Sequence, residues 1–321
     1  MTVVGIHASH EQIHPTELLE AVRHAESAGF TAAMSSDHFS PWSERQGHSG
    51  FAWSWLGAAL ATTSLPFGVV NAPGQRYHPA IIAQASATLA AMFPGRFWVA
   101  LGTGEASNEH ITGDRWPRKD VRNARLRECV DVIRALHRGE EVSHDGLVKV
   151  DRARIWTLPE EPPLLLAAAV SAETAAWAAD WADGIITIHQ PAEALRSLLG
   201  AYRDAGGRGT AHLQVHLSYA RDDETALRIA HEQWRTNVFS PPVCWDLELA
   251  EHFDEAARHV DPEDVQGSVL VSSDPARHAA WLRDALDLGF EELYLHHVGQ
   301  ELGEFIDVFG DRVLPELGVS A

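Results

Sequence analysis

The stretch Ser36-Asp37-His38-Phe39-Ser40-Pro41-Trp42 brings an acid, an imidazole and an indole to one place in the chain. An imidazole titrates near neutral pH and can carry a proton in either direction. The three follow Thr31-Ala32-Ala33-Met34, an apolar run that reads as a buried strand. The reactive groups therefore emerge where a strand gives way to a loop. Gly102-Thr103-Gly104-Glu105 repeats the pattern after Phe97-Trp98-Val99-Ala100-Leu101. Glycines there let backbone approach a ligand closely, and a carboxyl in a dry pocket can give or take a proton. In alternating strand–helix proteins such exits converge, so the two clusters predict one shared mouth.

The elements that must position them recur along the whole chain. Strands are predicted at Val3–Ile6, Thr31–Ser35, Phe67–Asn71, Phe97–Leu101, Leu164–Ala168, Gly184–Ile188, Leu213–Tyr219 and Glu292–His296. Between them run segments with apolar residues at helical spacing. One example is Leu18, Leu19, Val22 and Ala25, opened by His14-Pro15 and closed by Gly29. Continuously apolar strands alternating with amphipathic helices indicate a parallel sheet. Eight such units favour a closed (β/α)8 TIM barrel. Asp145-Gly146 marks a hairpin insertion at about 139–162, before the fifth strand. A helical insertion at about 221–267, broken by Pro241-Pro242, separates the seventh strand from the eighth. No linker interrupts residues 1–321, which read as one domain.

The chain has 321 residues, 45% of them hydrophobic, enough for a sizeable core. A formal net charge of −20 argues against nucleic acid and anionic membrane surfaces as partners. Cys129 and Cys244 alone make neither a disulfide framework nor a zinc knuckle. With no leader-like segment and no long apolar run, a cytoplasmic location is expected.

These motifs do not stand alone. Joined to His7-Ala8-Ser9-His10-Glu11-Gln12, Arg76-Tyr77-His78-Pro79-Ala80 and Gly104-Glu105-Ala106-Ser107-Asn108-Glu109, they resemble the bacterial-luciferase-like superfamily of flavin and deazaflavin oxidoreductases. The likeness is greatest to its deazaflavin (F420)-dependent glucose-6-phosphate dehydrogenase branch and covers nearly the whole chain. It implies a flavin-type ring across the open end of the barrel, and a homodimer. By the same resemblance His38 works at the reacting face, Glu105 is a catalytic acid or base, and Trp42 walls the substrate side. Asp37 and Asn108 contact the cofactor, and Val70, Asn71 and Ala72 back its central ring. A non-proline cis peptide is expected around Val70-Asn71. Ala168, Ala169, Val170 and Ser171 receive the cofactor phosphate at a helix start, although Ser171 also reads as an ordinary N-cap.

Two departures matter. The F420 branch has a Gly-Gly pair where this chain has Ala169-Val170, and the added Cβ atoms favour the slimmer FMN, with F420 as the alternative. The branch's sugar-phosphate cations are also missing: the matching stretches read Thr187-Ile188-His189-Gln190, Ser240-Pro241-Pro242-Val243 and Gln266-Gly267-Ser268. Glucose 6-phosphate is not expected. A small neutral or aromatic substrate is, with His7, His189 and His296 on its side of the pocket. NAD(P)H or a flavin reductase would supply electrons, and the choice between oxygen-using monooxygenase and dehydrogenase stays open. Two other classes compete. A metal-dependent hydrolase could gather the strand-end histidines His7, His38, His189, His216, His296 and His297. A non-catalytic flavin-binding protein would leave His38 and Glu105 idle.

Overall fold

Eight parallel strands close on themselves in the computed structural model, which describes residues 2–319. They are β1 (Val3–Ala8), β2 (Ala32–Ser36), β3 (Phe67–Asn71), β4 (Phe97–Leu101), β5 (Leu164–Ala168), β6 (Gly184–Ile188), β7 (Thr210–Ser218) and β8 (Glu292–His297). Each pairs with its neighbour in sequence, and β8 returns to β1 with Val3 opposite Glu292. The chain forms the expected (β/α)8 barrel. Every residue of β2 and β4 is buried, as strands covered on both faces must be.

Alternate residues divide the core in two. Val99, Leu101, Leu213, Val215, Leu293 and Leu295 point out and pack under the helices. Trp98, Ala100, Met34, Leu166, Ile186 and Tyr294 point in and fill the barrel. The Trp98 indole lies so close over β3 that a Cβ on Gly68 would sit 1.9 Å from it. Only glycine fits there.

Both insertions are present. Val142–Asp145 and Lys149–Ala153 form an antiparallel hairpin tied through His144 and the Val148 N–H to Glu128, on the helix Lys119–His137. The second carries the helix Asp223–Trp234 and a short helix Ala250–Ala256. Leu270–Val271 adds a two-residue strand beside β7.

One expectation is corrected. The peptide at Val70-Asn71 is not cis; among the described residues the cis bond is at Pro241-Pro242. Val70 and Asn71 continue β3 in register with Ala100 and Leu101, and the Val70 carbonyl accepts from Asp37 N–H at 2.9 Å. Extended ladder geometry on both sides leaves no need for an inverted bond. No described helix is long and apolar enough to cross a membrane.

Candidate active site

The carboxyl ends of the strands surround a cavity of about 380 Å³. His38 leaves the end of β2 and faces two carboxylates. Its Nδ1 is paired with Glu11, on the loop after β1, and its Nε2 lies 3.9 Å from Glu105 Oε2. Burial opposes charge on this imidazole, yet the Glu11 carboxylate and its hydrogen bond, with Glu105, raise the His38 pKa above 6.5. Glu11 shows the converse. Burial would raise it, but His38 draws it down to about 2, and Ser9 Oγ donates to its other oxygen at 2.8 Å. The pair is an ion pair with one free N–H directed at the mouth.

Trp42 meets the His38 ring edge-on at 5.3 Å and is itself backed by the fully buried Phe253 at 5.4 Å. Glu105 follows Gly104, whose φ of +79° turns the chain out of β4 in a conformation other residues resist. Asn108, one turn further on, donates to Glu105 Oε2 at 3.1 Å. Its own oxygen accepts from Phe39 N at 2.7 Å and Ser40 N at 3.2 Å. Asn108 thereby clamps the His38 loop to the Glu105 turn, so its amide is already committed within the protein.

Asp37 is similarly engaged. Its carboxylate accepts from Trp53 Nε1 at 2.9 Å, Asn71 Nδ2 at 2.8 Å and the Tyr77 hydroxyl at 3.3 Å. Arg76 binds the Asp37 carbonyl at 2.6 Å, and its backbone N–H donates to Glu109 Oε2 at 2.6 Å. Burial raises the Glu109 pKa against the pull of Arg76. Asp37 is the hub that fixes the β2 exit.

Inside the barrel the wall changes character. His7 on β1 stacks on His296 of β8 at 4.4 Å, and Trp234 packs against both His216 of β7 and His296. Gln214 Nε2 lies 3.1 Å from His216 Nε2 and 3.3 Å from His296 Nδ1. Burial lowers the pKa of His7 to about 4, of His216 to about 3, and of His296 well below 6.5.

Val70, Asn71, Ala72, Ala168, Ala169 and Val170 also line the cavity, as expected of cofactor-contacting positions. Ser171 and His189 do not. Ser171 accepts from Thr174 N at 3.3 Å and caps the seven-residue helix Ala172–Ala178, so its hydroxyl is spent. His189 does not line the cavity itself, although Ile188 and Gln190 on either side of it do, and it lies near enough to His216 to lower that residue's pKa. Glu11, Arg76, Gln214 and Trp234 were not singled out from sequence. The inward period-2 series His212, Gln214, His216 on an otherwise apolar strand was the available signal. Among the described residues no three His, Cys, Asp or Glu side chains converge as metal ligands would, so the hydrolase alternative lacks its ligand set.

Lys119 and Thr174 stand at the outer end of the cavity. Lys119 lies over the Trp245 ring at 4.7 Å, and both residues also border a second depression of about 650 Å³ with Arg118 and Arg122. Asp120, Glu173 and Asp246 line the same depression, and Arg118 is paired with Asp120 at 3.3 Å, so Lys119 and Arg122 are its cations without an ion-pair partner among the described residues.

Comparison with known proteins places these features in context. The sequence model of a family described as luciferase-like monooxygenase matches residues 1–292. An F420-dependent glucose-6-phosphate dehydrogenase of Nakamurella multipartita is 36% identical over 326 residues, covering 98% of this chain and 96% of that protein. That of Kribbella flavida is 35% identical over 328 residues, covering 98% of each. A solved F420-dependent secondary alcohol dehydrogenase, in complex with an F420-acetone adduct, superimposes with a TM-score of 0.91 at 27% identity, covering 98% of this chain and 99% of that one. The coenzyme F420-dependent tetrahydromethanopterin reductase of Methanopyrus kandleri shares the fold, with a TM-score of 0.77 at 21% identity and coverage of 98% and 99%.

Proposed function

The chain belongs to the luciferase-like monooxygenase family and is an oxidoreductase, and we propose that it is an F420-dependent dehydrogenase passing hydride between the deazaflavin ring and a small organic alcohol or ketone. One observation carries this reading: the Glu11–His38–Glu105 line, with an imidazole drawn toward its charged form between two carboxylates at the edge of the cavity. The similar proteins named for F420 move the cofactor from FMN to F420. Two features of the chain support the move despite Ala169-Val170. The cavity and the second depression share Lys119 and Trp245, and Lys119, over the Trp245 ring, offers the tail a positive charge between them.

When bound, the deazaflavin supplies a ring position that accepts or releases hydride. This chain supplies the rest. In the oxidative direction, Glu105 takes the hydroxyl proton as the carbinol carbon gives up hydride and the carbonyl forms. His38, held protonated by Glu11, directs its Nε2–H at the oxygen where negative charge builds. Asn108 holds Glu105 at its distance from the His38 loop, and Trp42 closes the substrate side against water.

The test is direct. Protein loaded with F420 should bleach the deazaflavin absorbance on addition of a secondary alcohol. His38→Ala and Glu105→Gln should each slow that bleaching about 100-fold or more, in the range of general acid–base catalysis, with F420 affinity nearly unchanged. Full activity in both variants, or turnover with FMN and none with F420, overturns the reading.

A further inference from the structure

We infer that the inner wall made by His7, His216, His296 and Gln214 is the substrate-recognition face, and that it selects an uncharged hydroxyl or carbonyl compound over an anionic one. The inference rests on the oxidoreductase reading above and assigns the partner of its hydride.

Neutrality of the wall follows from its hydrogen bonds. Gln12 Nε2 donates to the Val298 carbonyl at 2.6 Å, which fixes the amide and leaves Gln12 Oε1 as an acceptor. His296 Nε2 lies 2.7 Å from that oxygen and is therefore the protonated nitrogen. Its Nδ1 then accepts from the Gln214 amide, whose second hydrogen serves His216 Nε2. An amide N–H2 cannot accept, so both facing ring nitrogens carry lone pairs and both rings are uncharged. His7 stacks on the neutral His296 at 4.4 Å, and burial opposes a positive charge on its ring.

The wall is also incomplete. His7 Nε2 meets Ser36 Oγ at 3.3 Å, but its Nδ1 is buried without a protein partner while the ring lines the cavity. A buried polar atom left unpaired is costly, and a substrate hydroxyl or carbonyl supplies the missing bond. On this inner wall a carboxylate or phosphate finds no positive charge to neutralise it. Besides His38, which is paired with Glu11, two cations line the cavity among the described residues. Arg76 is taken by the Asp37 carbonyl and by Glu109, and Lys119 faces the outer depression. Glu11 and Glu105 outnumber His38 at the mouth, so an entering anion is repelled there as well. Burying it uncompensated costs more than any single hydrogen bond returns. The cavity is near the lower limit for small-molecule sites, so a substrate sharing it with a tricyclic ring must be small.

2-Butanol and 3-hydroxybutyrate separate the possibilities, because they differ only by a methyl group against a carboxylate. Saturation-transfer NMR on the F420-loaded protein should show 2-butanol bound about tenfold or more tightly than 3-hydroxybutyrate. His7→Gln should weaken 2-butanol about three- to tenfold, the loss of one hydrogen bond, with F420 affinity and far-UV circular dichroism unchanged. His216→Lys should raise 3-hydroxybutyrate binding; if that variant does not fold, His7→Gln decides. Equal binding of the two compounds, binding of neither, or no effect of His7→Gln overturns the inference. Binding is read without turnover. A failure of the redox reading shows separately, as bound alcohol with unchanged cofactor absorbance.

Discussion

One cavity holds a histidine drawn toward its charged form at the mouth and three neutral ones further in. At the mouth, His38 has a carboxylate on Nδ1 and another near Nε2, and its pKa is raised although burial works against it. A few residues inward, His7, His216 and His296 face amides, a hydroxyl and one another, and burial lowers all three. Burial is common to both. What differs is the chemistry set against each ring nitrogen, so one residue type yields an imidazole drawn toward its charged form at the proton-handling end and a neutral hydrogen-bonding surface at the recognition end. The cavity thereby combines charge for the reaction with neutrality for the substrate.

Removing the carboxylate that distinguishes the mouth should have the largest effect. Glu11→Gln keeps the size of the side chain but leaves His38 without its counter-charge. Turnover should fall about 100-fold or more, and the alkaline limb of the rate profile should move to lower pH as His38 releases its proton more readily. A variant whose profile stays in place would show that Glu11 does not set the charge of His38.

Acid should expose the neutral group. A histidine whose folded pKa lies below its unfolded value of 6.5 costs no stability above that pH. It removes stability as pH falls from 6.5 toward its folded value, because the unfolded chain binds the extra proton. His7 at about 4 and His216 at about 3 place that window between about pH 6.5 and 3, with His10 and His297 adding to it down to about 4. The mouth pair has the opposite sign in this range. The raised pKa of His38 contributes stability that is fully present below 6.5. The lowered pKa of Glu11 contributes stability present above 4.5 and lost only toward about 2. The neutral rings are more numerous and should prevail. Urea unfolding is expected to lose at least about 2 kcal/mol between pH 7 and 5, the effect of one such imidazole over 1.5 pH units below 6.5. Unchanged stability would mean that the wall is already charged at pH 7.

Which parts of this arrangement were legible in sequence has a physical reason. β3, β4, β5 and β6 coincide with their predicted limits because strands buried on both faces are unbroken apolar runs between turn residues. β7 starts earlier than expected, at Thr210, since its inward residues His212, Gln214 and His216 are polar and disguise the run. His38, Trp42 and Glu105 were legible because strand exits converge. His189 follows the last residue of β6, where a strand pattern no longer says which way a side chain goes. Ser171 was drawn to a cofactor by resemblance, when its local chemistry was already that of an N-cap. The Glu11–His38 pair lies 27 positions apart and becomes visible only when β1 and β2 lie side by side.

The smallest effect tests the bond that holds the wall neutral. Gln12→Met fills similar volume but removes the oxygen that accepts from His296 Nε2, leaving a buried N–H unpaired. The cost should be about 1–3 kcal/mol, together with some loosening of the Val298 backbone to which Gln12 also donates. Its dependence on pH is more telling than its size. If His296 is neutral on both sides of the substitution, the loss stays constant from pH 6.5 to 8, because no proton is bound or released. If His296 is charged, removing its acceptor shifts its titration and the loss changes with pH over that interval. A constant loss leaves the contrast between mouth and wall intact; a sloping one makes the wall a second cationic site and removes the basis for excluding anionic substrates.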